Sequence, residues 1–212
     1  MEGKKMKEFS VPMALVDFIP VLLFAVAAIM LQRDLYNKMS KGAFALFATG
    51  TIDIIFAGFL KALYKLLYAT GICDFQPLSS LFFPVQSIGF LLAGIGLVAM
   101  LFYKQGDGAA LCLAPPVFSG TMIFVSCMVI GLGTMYVVLG IISVKLKKPW
   151  LIAVFLISFL CSACMGYLST KDFSQSYMNW IAQGINVLGQ GLLVVGVLLL
   201  RKYGLVNYIL NK

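Results

Sequence analysis

The chain has 212 residues, 61% of them hydrophobic and 11% charged, with a net charge of +8 and no histidine. A soluble domain is nearer half apolar and a quarter charged, so the surplus apolar surface calls for a bilayer, and the length leaves no room for a separate soluble catalytic or DNA-binding unit. Lack of histidine removes the commonest metal ligand and the commonest base at neutral pH, and basic residues scattered among short connections exclude a nucleic-acid surface.

About 20 helical residues cross roughly 30 Å of hydrocarbon. Six stretches meet that length: residues 11–31, 42–68, 80–103, 117–144, 149–168 and 176–200. They are too long and too continuously apolar for barrel strands. The expected fold is therefore all-α, a single polytopic membrane domain of six helices over residues 1–212, with a seventh crossing as the alternative.

The first stretch, VPMALVDFIPVLLFAVAAIML, holds Asp17 about two turns inside, three residues before Pro20. Proline frees a backbone carbonyl and bends a helix. The plain reading of Asp17 is a carboxylate near the interface that holds a neighbouring helix; the functional one is ligand contact.

The second stretch carries Asp53 near mid-membrane, where an ionised carboxylate costs several kcal/mol (~3) unless paired or solvated. With Asp53 at 0°, Lys61 falls at about 80°, Tyr64 at about 20° and Tyr68 at about 60°, on one broad face. Lys61 is too far along for an automatic ion pair with Asp53, and Lys65 is expected to snorkel toward the headgroups.

Gln86 follows Pro84 early in the third stretch. The segment GAALCLAPPVFSG, residues 108–120, is apolar but broken by Pro115-Pro116. It reads as an interfacial or re-entrant lead into the fourth span, or as part of a seventh crossing. In the fifth, Ser158, Ser162 and Gly166 recur every four residues, as Gly89 and Ala93 do in the third; such faces let helix backbones approach closely. Cys161 and Cys164 form a CxxC, but no second close pair is present to relay electrons, and cysteine is an ordinary small hydrophobe in apolar helices.

The sixth stretch contains the strongest pattern. Asn179, Gln183, Asn186 and Gln190 fall at about 0°, 40°, −20° and 20°, one narrow stripe about 20 Å long. Lipid cannot satisfy amides, so the stripe must face other helices or a wet cavity. Such amides serve as interhelical glue, worth about 1 kcal/mol each, or as a polar lining. The tail 203–212 is expected to lie along the interface with its tyrosines at headgroup depth.

With six spans, eleven Lys/Arg fall on the side of the N-terminus and five on the other, which predicts both termini in the cytoplasm of a cell-membrane protein. No paired-carboxylate, GxSxG or phosphate-loop motif is present, so an enzyme acting on lipid or quinone is the weaker expectation, and the sequence names no cofactor.

The function expected is binding, and translocation, of a small polar solute or cation, alone, as a homo-oligomer or with a partner membrane subunit. Asn179, Gln183, Asn186, Gln190, Asp53, Asp17, Gln86, Lys61 and Tyr64 are its candidate contacts. A non-transporting sensor or assembly protein is the first competitor.

Overall fold

The computed structural model describes residues 10–103, 121–168 and 176–208. The described chain is helical, without strands. The first span is broken: α1 (Val11–Val16) and α2 (Phe18–Leu35) meet at Asp17. The pyrrolidine of Pro20 has no N–H for the carbonyl four residues back, so the ladder fails where Asp17 stands. Then come α3 (Lys41–Thr70), α4 (Pro77–Ser80), α5 (Phe82–Phe102), α6 (Thr121–Lys145), α7 (Leu151–Leu168) and α8 (Ser176–Lys202).

Five helical segments are long and apolar enough to cross a membrane, and a sixth, Leu151–Met165, is shorter. This is the helical membrane bundle expected from composition.

Local chemistry fixes the ends. Ser40 caps α3 by accepting from the Ala43 amide at 3.2 Å, satisfying a donor that no helical turn can. Gly71, at φ 78°, stops the same helix: its amide donates to Tyr68 O and the Ile72 amide to Leu67 O, each at 3.1 Å. That left-handed turn suits glycine.

The helices form a closed ring in the order α5, α3, first span, α8, α7, α6 and back to α5. The α3–α5 seam is the most extensive, and small residues set it. A Cβ added to Gly96 would stand 2.7 Å from both Ala43 O and Phe47 N, and one on Gly89 would stand 2.7 Å from Gly50 O. The expected small-residue face at Gly89 and Ala93 is therefore an internal seam between neighbours. Gly166 lies outside the residues whose side chains are described, while Ser158 and Ser162 sit on α7 against α8 and on their own helix.

Contacts also fix direction. The first span runs antiparallel to α3, with Phe18 stacked on Phe59 and Tyr36 on Phe44. It runs parallel to α8, because Asp34 meets Arg201. Unexpectedly, α5 and α6 are also parallel: Phe83 packs on Phe124, and a Cβ on Gly94 would meet Gly131 O at 3.0 Å.

Tyr103 and Thr121 thus stand at opposite ends of the bundle, and so do Ser10 and Tyr208. The charge count assumed that each span reverses the one before it, and α6 does not reverse α5. The segment 108–120, read as an interfacial lead or seventh crossing, lies outside the described residues.

Residues 203–208 pack on the end of the first span: Lys38 Nζ donates to Val206 O at 2.9 Å and Tyr208 O at 2.8 Å, and Leu205 is wholly buried.

Two outcomes are expected. Reporter fusions before Ser10 and after Tyr208 should read opposite sides of the membrane, and a same-side result would overturn this topology. Gly96→Ala should lower the melting temperature in detergent by several degrees through overpacking, roughly 1–3 kcal/mol. Gly133→Ala, whose added methyl meets nothing within 4 Å, should leave it nearly unchanged.

Candidate functional site

Azimuths show which polar residues face the ring's interior. On α8, Gly189 faces α7, where Ser158 Oγ donates to its carbonyl at 2.7 Å, and Arg201 faces Asp34 of α2. Taking Gly189 as 0° and Arg201 as about 120°, Asn186, Asn179, Gln190 and Gln183 lie at about 60°, 80°, 100° and 120°. The whole amide stripe falls between those two neighbours and points inward. Asn179 and Gln183 are buried, at 5% and 7% exposure; Asn186 and Gln190 are partly buried.

On α3, taking Asp53 as 0°, Lys61, Lys65 and Thr51 lie at about 80°, 120° and 160°. Lys61 meets the ring of Phe82 on α5, 3.9 Å from its centroid. Lys65 meets Asp17 of the first span at 2.6 Å, and Thr51 accepts from Gln32 Nε2 at 2.7 Å. Lys61 and Lys65 therefore face the sector between α5 and the first span, which is interior.

Asp53 lies round the far flank, partly exposed beside Gly89, with no hydrogen bond or ion pair among the described residues. Tyr64 is on that flank too, donating to Asp74 Oδ1 at 3.2 Å. The first span stands between α3 and α8 in the ring, so Asp53 and the α8 amides are not brought together.

The remaining candidates face inward. Gln86 lies about 40° round α5 from Phe82 toward Phe83, which face α3 and α6 respectively. Asp17 lies about 100° from the α8-facing Asp34 and 60° from the α3-facing Gln32, and only 6% of its side chain is exposed. Lys65 does not snorkel as expected. It is 13% exposed and neutralises Asp17, because the helix break turns that carboxylate inward, where an unpaired charge is costly.

Depth divides the interior in two. Asp17, Lys61, Lys65, Gln86, Asn179 and Gln183 occupy the half nearer Ser10. Gln183 precedes Arg201 by eighteen residues and Asp17 precedes Asp34 by seventeen, so the Asp34–Arg201 pair places Gln183 level with Asp17 on parallel helices. Of the buried acceptors without a hydrogen-bond donor, Asp17 Oδ1 and Gln183 Oε1 lie there and Gln190 Oε1 at mid-depth, while Asp34 Oδ2, beside Arg201, lies in the other half.

The other half is the dry end, apolar apart from Asp34, Thr51 and Ser143, which meet Arg201, Gln32 and their own helix. Of the twelve largest fully buried side chains all but Met13 lie in it, Leu31, Phe47, Leu97, Leu139, Phe155 and Leu200 among them.

Sequence reasoning missed several polar contacts. Ser158 gives its proton to Gly189 O, so the Tyr136 hydroxyl, 2.7 Å away, must donate to Ser158. This satisfied chain is glue between α6, α7 and α8. Arg201 Nε stands 3.5 Å from the buried Asp34, which lies past the expected end of the first stretch at residue 31. Cys161 packs where a Cβ on Gly189 would fall, 2.9 Å away, and Cys164 is exposed. A shallow groove of about 230 Å³ between α5 and α6, lined by Leu91, Gly94, Val98, Ile130 and Thr134, lies on the flank of α5 away from Asp53. Among the described residues no cluster could hold a metal ion.

Comparison with protein families, curated proteins and solved structures finds no match to this chain.

Removing one partner of the inward ion pair should be costly. Asp17→Ala removes the buried carboxylate that Lys65 pairs with and is expected to lower unfolding stability by about 3–5 kcal/mol, while Asp17→Leu with Lys65→Met should regain most of it. Equal loss in the single and double variants, measured by denaturation in mixed micelles, would refute the pairing as the source of that cost.

Proposed function

We propose that this is a multi-pass cell-membrane protein that binds a small polar solute inside its ring, in the half nearer Ser10. The observation that carries this reading is the segregation by depth. Asp17 Oδ1, Gln183 Oε1 and Gln190 Oε1 lack donors in one half and at mid-depth; in the opposite half, of packed apolar side chains, the acceptor without a hydrogen bond, Asp34 Oδ2, stands beside the Arg201 cation. Buried acceptors without donors cost about 1–3 kcal/mol each. A solute that donates to them recovers that free energy on binding.

Charge supports an orientation. Among the described residues Arg33, Lys38, Lys41, Lys145, Lys147, Lys148, Arg201 and Lys202 lie toward the dry end, against Lys61 and Lys65 at the other. Positive residues concentrate on the cytoplasmic side. The dry end then faces the cytoplasm and the polar half faces outward. Asp53, on the outer flank, plays no part in this reading; its exposure suits a contact with a second copy or a partner subunit.

Translocation requires the packed half to part. The same packing favours a second reading, a receptor that is occupied without carrying its solute across. The interhelical chain from Tyr136 through Ser158 to Gly189 supports rigidity there. An enzyme acting on lipid draws no support, since the lateral groove between α5 and α6 is apolar in lining and distant from Asp53.

A thermal-shift screen of the purified full chain against alkali and halide ions, amino acids, vitamins and sugars should find a stabilising ligand. A ligand at about 100 times its Kd adds about 2.7 kcal/mol. Gln183→Leu with Gln190→Leu should abolish that stabilisation in a protein that still folds. If the variant fails to fold, or if no polar solute stabilises the parent, the amides are glue and the reading falls. Uptake into proteoliposomes then separates carrier from receptor.

A further inference from the structure

The polar half is not charge-neutral. Among the described residues Lys65 is matched by Asp17, while Lys61 meets the face of Phe82, with Lys65 and Asp17 both within electrostatic reach. Two ammonium groups and one carboxylate leave the described interior with a surplus of one positive charge. A cation–π contact is worth about 0.5–2 kcal/mol, less than the several kcal/mol (~3) that an unmatched charge costs at membrane depth. The surplus at Lys61 calls for an anion.

The unfilled acceptors call for the opposite. Asp17 is 8% and Gln183 7% exposed, yet Asp17 Oδ1 and Gln183 Oε1 have no donor. Asp17 already gives its other oxygen to Lys65, so a further donor would find half a carboxylate and an amide oxygen waiting at one level. The two demands meet at one level: Phe18 on Phe59 and Val21 beside Gly58 set Asp17 near the backbone level of Lys61, and Gln183 is level with Asp17.

We infer that the solute is a zwitterion of amino-acid type, an inference that rests on the solute-binding reading above. Its carboxylate pairs with Lys61, and its ammonium donates to Asp17 Oδ1 and Gln183 Oε1. The carboxylate and ammonium of an α-amino acid are joined through one carbon, so one small solute presents both charges to groups gathered at one level of the ring. A halide would satisfy Lys61 alone and leave both acceptors empty. A simple amine would satisfy the acceptors and add to the surplus positive charge. Specificity then comes from needing both charges, because the analogue lacking either leaves a buried group unmatched.

The test is binding of the standard protein amino acids to the purified full chain in nanodiscs, each beside its methyl ester and its N-acetyl derivative. At least one free amino acid should bind, and blocking either end should weaken it by about tenfold or more, equivalent to about 1.4 kcal/mol. Lys61→Met should bind acid and ester equally; Gln183→Leu should weaken the free amino acid and spare the N-acetyl form. Asp17 is avoided as a probe because its loss threatens folding through Lys65. Esters that bind as well as the acids would overturn the inference. So would a chain that binds an ion, sugar or vitamin through Gln183 and Gln190 but no amino acid, although the solute-binding reading would then stand. Absence of any polar ligand would end both.

Discussion

Hydrocarbon offers no hydrogen bonds, and every polar side chain placed at membrane depth must find its partner within the protein. In this ring that constraint is met in three ways. Charges are matched across neighbouring spans, as Lys65 matches Asp17 and Arg201 faces Asp34. Hydroxyls are chained to backbone carbonyls, as Tyr136 and Ser158 are to Gly189. A third group is turned inward and left incomplete, at Asp17 Oδ1, Gln183 Oε1 and Gln190 Oε1. The first two groups hold the helices together, and the third carries the functional reading.

Packing explains why the incomplete group is confined to one half. In the half holding Arg201, leucines, phenylalanines and a closed C-terminal turn fill the interior. Toward Ser10, the break at Asp17 swings a carboxylate inward and long side chains of α3 replace the apolar filling. Close backbone contact along the α3–α5 seam fixes the azimuth of α3, which decides that Lys61 and Lys65 point in and Asp53 does not. The geometry of a glycine seam thus determines the charge inside the ring.

Much of the fold was legible because hydropathy and length are local properties. The last helix, expected at 176–200, runs Ser176–Lys202, and the second, expected at 42–68, runs Lys41–Thr70. The amide stripe was legible for the same reason, since spacing within one helix fixes its azimuth. What failed depended on partners distant in sequence. Asp34 fell outside the first stretch, expected to end at residue 31, because Arg201, which makes its burial tolerable, lies 167 positions later. Lys65 looked like a snorkelling lysine because nothing in its own helix announces Asp17. Asp53 looked central because depth can be counted along a helix, whereas its azimuth relative to other helices cannot. The parallel course of α5 and α6 leaves no mark in the composition of either, and the orientation inferred from charge inherited that omission.

The clasp between Lys38 and residues 206–208 has a consequence for biosynthesis. Its two halves lie some 170 positions apart in synthesis, so the ring's basic end cannot be sealed while α8 is still in the ribosome. Until then Asp34 has no Arg201 and the pocket for Leu205 stands empty. The first span must wait in the bilayer with a buried-type carboxylate uncovered, which makes the arrival of the last helix the event that closes the molecule.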